Sequence, residues 1–114
     1  MEDTERLLVA ELHGLAGRER ELRAMLDDLA VGARTEAGCV AFRVLGGEGP
    51  GELVLLSHWR DETALRAHYA TRHYRRYGSP VGPLLARPSD VVVHVITSTV
   101  HAADPNPPEP GMFG

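Results

Sequence analysis

A chain of 114 residues suits one domain with one core, a size at which roughly two thirds of the surface of the unfolded chain is buried. A formal net charge of -4 weighs against a general nucleic-acid binder, and the twelve basic residues are all arginines, spread over positions 6 to 87 rather than gathered into one site. The single cysteine, Cys39, excludes an intrachain disulfide and a multi-cysteine zinc site and favours a reducing compartment. No apolar run is long enough to span a membrane, and the acidic start Met1-Glu2-Asp3 lacks the basic and apolar regions of a signal peptide, so the expectation is a cytoplasmic protein with neither membrane nor nucleic acid as partner.

Residues 6–12 (RLLVAEL) are apolar and of strand length, and Gly14 to Gly17 interrupt them. Leu22, Met25, Leu26 and Leu29 recur at helical spacing within residues 18–35, where Glu19 and Glu21 favour the positive end of the helix dipole and Gly38 supplies a stop. Residues 39–45 read as a second strand. The run Gly46-Gly47-Glu48-Gly49-Pro50-Gly51 reads as a hairpin loop into a third strand at 53–59; it is no phosphate loop, because no Lys-Ser/Thr follows and the next element is a strand.

Asp61 is a good N-cap for a helix over residues 62–70, which places Leu65, His68 and Tyr69 on one face. Running back along its strand, that helix lifts His68 by roughly 10 Å at about 1.5 Å per residue, and so over the middle of the third strand. The tryptophan that ends the strand, Trp59, and His68 are thereby expected to meet beside a pocket between helix and sheet. Thr71 is expected to cap a short helical piece through Tyr77, ended by Gly78 and Pro80, with Tyr74 and Tyr77 turned inward and Arg72, Arg75 and Arg76 outward. Residues 81–86 read as a helical turn or irregular cover. Residues 89–99 (SDVVVHVITST) form the clearest strand, β-branched on both faces, which predicts burial on both sides or a place in a subunit interface. One domain over residues 1–101 is followed by a tail at 102–114 whose four prolines cannot pair in a sheet.

The order strand, helix, strand, strand, helix, strand predicts an α+β, ferredoxin-like β-α-β-β-α-β domain, an antiparallel sheet with both helices on one face. The other face then lacks cover and would expose an apolar patch with candidates such as Val54, Leu56, Val92 and Ile96, so a homodimer packed sheet to sheet is expected. His58 alternates with Trp59 and points to that face, and His94 is left open between the two faces.

Three segments carry a family resemblance: AGREREL-RAML entering the first helix, TEAGCVAFRV after it, and LVLLSHWRDETALRAHYATRHY, in which a histidine follows the tryptophan by nine residues. Over about residues 7–97 the chain resembles the antibiotic biosynthesis monooxygenase superfamily, the dimeric α/β barrels that include small quinol monooxygenases. The resemblance implies oxidation of an aromatic polyketide, anthrone or quinol by molecular oxygen as co-substrate, with no flavin, haem or metal cofactor. It implies that Trp59 lines a cavity and stacks on the substrate and that His68 moves a proton, making these the expected catalytic pair, with Leu55, Ser57, Tyr69 and His73 expected to bind substrate. Two departures stand out. Some polyketide monooxygenases hold the substrate oxygen with an asparagine four residues before the tryptophan, where this chain has Leu55; haem-degrading relatives use an asparagine on the first strand, where it has Ala10 or a neighbour that is not asparagine either.

Bland readings stand beside these. Trp59 can be a core aromatic, His68 a buried histidine bonded to a carbonyl, and Cys39 a small buried hydrophobe. The six histidines show no zincin spacing, and His68 and His73 lie five apart across a predicted helix break, so no metal site is expected. Besides the monooxygenase, the residues leave open a non-catalytic ligand-binding or accessory protein, a haem-binding member whose iron would be bound at His68, and cyclase or isomerase chemistry in the same barrel.

Overall fold

The computed structural model describes residues 4–102, and the proline-rich tail therefore lies almost wholly outside the described residues. Strands β1 (Glu5–His13), β2 (Cys39–Gly46), β3 (Glu52–Trp59) and β4 (Asp90–Ile96) form one sheet in the order β2-β3-β1-β4, with every pairing antiparallel. Helices α1 (Glu19–Ala33) and α2 (Glu62–Tyr69) pack on the same face, as the order of elements predicts. No helix among the described residues is long and apolar enough to cross a membrane.

Strand parity decides what the site can contain. Leu8, Ala10 and Leu12 of β1 face the helices, and the register sets Ser57, Leu55 and Leu53 of β3 beside them on that face. Phe42 and Val44 of β2 follow through their pairing with Ser57 and Leu55. Leu22, Leu26 and Leu29 of α1 descend onto this layer, and the largest side chains, Trp59 and Phe42, close it with their rings edge to face at 6.4 Å. The opposite parity sends Val9, Val54, Leu56, His58, Val92 and His94 to the open face, which settles the orientation of His94. His58 there meets Glu5, 2.5 Å from Nε2 to Oε1.

The glycine run is the expected hairpin: the Gly47 amide bonds to the Glu52 carbonyl at 2.7 Å, and Gly51 takes a φ of 75°, a conformation that glycine adopts without steric cost. Asp61 caps α2 by accepting the Ala64 amide on Oδ1 at 2.7 Å.

Two segments differ from expectation. The helical piece after α2 is a π-helical turn over Tyr74–Gly78, followed by a 3₁₀ stretch over Ser79–Leu84. Thr71 holds its start, donating from its hydroxyl to the His68 carbonyl at 2.7 Å and accepting the Tyr74 amide at 3.2 Å. Gly78 admits the wide turn, since a Cβ there would meet the Tyr74 ring at 2.6 Å. Strand β4 is shorter than predicted, and within one chain it is exposed on both faces, Val91, Val93 and Val95 on the helix side as well as Val92 on the open side. Its β-branched composition thus has no counterpart in burial inside the chain.

Candidate functional site

His68 is brought to the sheet by the last turn of α2, and its ring lies 4.7 Å from that of Trp59. Trp59 is fully buried and does not line the cavity. The stacking on substrate that the resemblance implies has no surface on which to occur in this arrangement. Trp59 instead backs the site, with its ring beside His68 and its indole N–H donated to Ser57 Oγ at 3.0 Å. Removing so large a core side chain costs about 3–5 kcal/mol, so a Trp59 variant reports stability before chemistry.

Glu36, in the turn between α1 and β2, has no place among the site residues expected from sequence, and it is the centre of the arrangement. His68 Nδ1 and His73 Nε2 each stand 2.7 Å from the same carboxylate oxygen, Oε2. An ionised carboxylate only accepts, so the His68 proton sits on Nδ1 and its Nε2 is left as an acceptor. That nitrogen has no hydrogen-bond partner among the described residues and is not among the fully buried unsatisfied atoms, and the His68 side chain lines the cavity. Burial pushes the His68 pKa below its ordinary value, the Glu36 carboxylate opposes this, and the neighbouring His73 adds to it. A neutral ring near pH 7 is the form able to take a proton.

Glycines make this convergence possible. At Gly38 a Cβ would lie 2.3 Å from the Ala64 Cβ, so only glycine lets the turn that carries Glu36 touch α2. At Gly32 a Cβ would lie 2.5–2.8 Å from atoms of the His73 side chain, so α1 accepts that ring only where it has no side chain of its own.

The cavity itself measures about 120 Å³. Leu8, Ala10, Leu26, Leu29 and Phe42 form apolar walls, and Ser57 and His68 are buried polar groups set into them, with Ser89, Tyr69 and Tyr74 also on the lining. Ser57 Oγ accepts from Trp59, which leaves its own hydroxyl proton for a partner in the cavity. Tyr69 and Val91, 42% and 51% exposed, stand at the mouth. Burial raises the Tyr69 phenol pKa and the neighbouring Tyr74 adds to it, so this group remains a hydrogen-bond donor. Of the residues expected to touch substrate, Leu55, Ser57, His68 and Tyr69 line the cavity; Trp59 and His73 do not. The expected absence of a metal site also meets a different geometry: the helix break between His68 and His73 bends the chain so that both reach Glu36, giving three ligand atoms within 4.8 Å of one another. Cys39 is half-buried, with its thiol pKa raised by burial and by Glu36.

An antiparallel sheet with two helices over one face, enclosing a small apolar cavity that carries one buried histidine, defines a class of small α+β ligand-cavity domains. Residues 6–78 match the family described as Antibiotic biosynthesis monooxygenase, and the chain belongs to that family. It is 40% identical over 72 residues, 63% of this chain and 71% of the relative, to Rv0793 of Mycobacterium tuberculosis, which is provisionally named a monooxygenase. The structure of Rv0793 superposes with a TM-score of 0.77 over 89% of this chain and all of that one, at 31% identity. Two further solved structures share the fold: PA3566 from Pseudomonas aeruginosa, with a TM-score of 0.74 at 24% identity over 83% of this chain and 96% of that one, and a conserved protein from Methanosarcina mazei Go1, with 0.76 at 20% over 81% and 92%.

Two outcomes test the site as described. A glycine inside a helix is ordinarily destabilising by roughly 0.5–1 kcal/mol against alanine, yet Gly32→Ala is expected to lower the melting temperature, because the new Cβ displaces His73 from Glu36; a raised melting temperature contradicts the packing. By NMR titration His68 is expected to reach its midpoint below the ordinary 6.5. In the window between the lowered folded value and 6.5 the unfolded chain holds more protons, so stability falls as pH drops through it. Urea unfolding at a series of pH values, compared with His68→Gln, reads that slope.

Proposed function

We propose that this chain is a cofactor-independent monooxygenase that oxidises an aromatic polyketide, anthrone or quinol-type substrate with molecular oxygen. The observation that carries the reading is His68, which lines an apolar cavity and is held through Nδ1 by Glu36, leaving Nε2 to serve as the acceptor toward a substrate. Such a substrate is a weak acid whose proton can pass to Nε2 when the base is held beside it, the acceptor's position offsetting the cost of charge in a dry site. The resulting carbanion or phenolate gives an electron to oxygen, and the radical pair combines to a carbon-bound peroxide anion, which takes the proton back from the His68 imidazolium. Loss of the second hydrogen on that carbon together with hydroxide leaves a carbonyl and one water, so one oxygen atom enters the product and the other leaves as water. Each step needs a base, a dry apolar wall and a place for the substrate oxygen. The Ser57 hydroxyl, beside Leu55, supplies that last contact where an asparagine is missing.

Size refines the pose. An engineered cavity of about 150 Å³ holds one benzene, so a cavity of about 120 Å³ takes one ring beside His68, and further rings extend past Tyr69 and Val91.

We extend the reading to a homodimer through the open sheet face. Val9 lies between Leu56 and Val92 in the register, giving a continuous apolar row across three strands, and Val92 is 52% exposed.

Oxygen uptake by the purified protein, with no added cofactor, against a panel of hydroquinones, naphthoquinols and anthrones is expected to exceed the uncatalysed rate for at least one. His68→Gln should then lower turnover by about 100-fold or more, as loss of a general base does, and Ser57→Ala by about tenfold, as loss of one neutral hydrogen bond at about 1.4 kcal/mol would. No turnover across the panel sinks the enzyme reading and favours an accessory ligand-binding role. Light scattering should give twice the mass of the chain, and Val92→Asp should give monomer; a monomeric wild type contradicts the assembly.

A further inference from the structure

The Glu36 cluster offers more than an anchor for one imidazole. We infer that Glu36, His68 and His73 bind one divalent transition-metal ion of the zinc or cobalt class, and that the bound ion switches off the base at His68. The binding stands on the geometry alone; the switching rests on the function proposed above.

Two imidazoles and a carboxylate are the donor set that zinc, cobalt, nickel and iron prefer, whereas calcium and magnesium take oxygen donors. The three side chains come from separate segments, the turn after α1, the end of α2 and the residue before the π-helical turn, and each presents one ligand atom within 4.8 Å of the others. Zinc bonds of about 2.0–2.1 Å to nitrogen and about 2.0–2.2 Å to oxygen place neighbouring donors of a tetrahedral site about 3.3 Å apart. The carboxylate oxygen, now 2.7 Å from each nitrogen, has to withdraw by ~0.6 Å, and the two imidazole nitrogens, within 4.8 Å of one another, have to settle at about 3.3 Å to admit the ion at that spacing. Access comes from the outside: the His73 and Glu36 side chains are 21% and 14% exposed against 5% for His68, which leaves the fourth position to water on the solvent side and the cavity on the other.

The proton inventory gives the consequence. In the hydrogen-bonded state His68 carries its proton on Nδ1 and accepts at Nε2. An ion on Nδ1 takes the place of that proton, and the neutral ring keeps its proton on Nε2 instead, with no net proton lost from the residue. The group facing the cavity then donates and no longer accepts, so it has no means of starting the reaction.

Full-length protein freed of metal with a chelator and dialysed is titrated with zinc chloride by calorimetry and with cobalt chloride by visible absorption. One ion per chain is expected, with cobalt bands typical of four-coordinate nitrogen and oxygen ligation. Glu36→Gln and His73→Ala should each weaken binding by at least about tenfold, a loss that even an outer-shell partner commonly causes, with far-ultraviolet circular dichroism checking that each variant is folded. A readout that needs no variant comes from NMR of the wild type: zinc should move the ring nitrogen resonances of His68 and His73, and move His68 from the Nδ1–H to the Nε2–H form, while leaving His13, His58 and His94 in place. No saturable binding below millimolar metal, or binding that shifts the other histidines and spares these two, overturns the site. Where a substrate of the enzyme is in hand, zinc should abolish oxygen uptake with the same midpoint as binding, reversibly on adding chelator. Binding at the cluster without loss of turnover overturns the switch while leaving the site, and absence of any turnover bears only on the proposed function.

Discussion

A carboxylate taken largely out of water is tolerated only where hydrogen bonds replace its hydration, and Glu36 meets that condition by drawing two imidazoles to one oxygen. Its demand ties the turn after α1, the end of α2 and the chain before the π-helical turn into one node. The ring of His68 is fixed as a result, and so is the identity of the nitrogen left without a partner. Gly38 and Gly32 are the permissions for this node, each removing a side chain where two backbones or a backbone and a ring must approach.

Much of the fold was legible because its signals are local and periodic. The helical spacing of Leu22, Leu26 and Leu29, the glycine hairpin and the Asp61 cap all act within a few residues of themselves, and the order of elements then leaves few topologies open. The meeting of Trp59 and His68 followed from the rise of a helix against that of a strand. The rest of the site was not legible for the opposite reason. Glu36 lies 32 residues from His68, in a turn whose sequence speaks of stopping a helix and starting a strand, and nothing local marks its carboxylate as a partner. The glycine two positions after it was the available signal, since a helix stop there also allows close approach to another element.

Trp59 shows how a correct contact can mislead about role. Spacing placed it beside His68, and it is there, on the same sheet face as Ser57, but complete burial makes it the wall behind Ser57 and His68 rather than a face of the cavity. His73 errs in the other direction: read as a substrate contact, it sits outside the cavity and reaches the chemistry only through Glu36. In both cases the residue type was suggestive and the depth of burial, which no single sequence displays, decided what it touches.

The π-helical turn over Tyr74–Gly78 carries a consequence for how this segment can vary. Each residue of an α-helix rotates the chain by about 100°, so a path one residue shorter through the same space would swing Tyr74 off the cavity wall and alter the spacing by which His73 reaches Glu36. Arg75 and Arg76, exposed on the outside of the turn, can change identity with little effect on what lies beneath. Length is therefore held more tightly than outward composition here: descendants of this chain can rewrite the two arginines freely while keeping Tyr74 and Gly78, but a single deletion would dismantle one wall of the chamber.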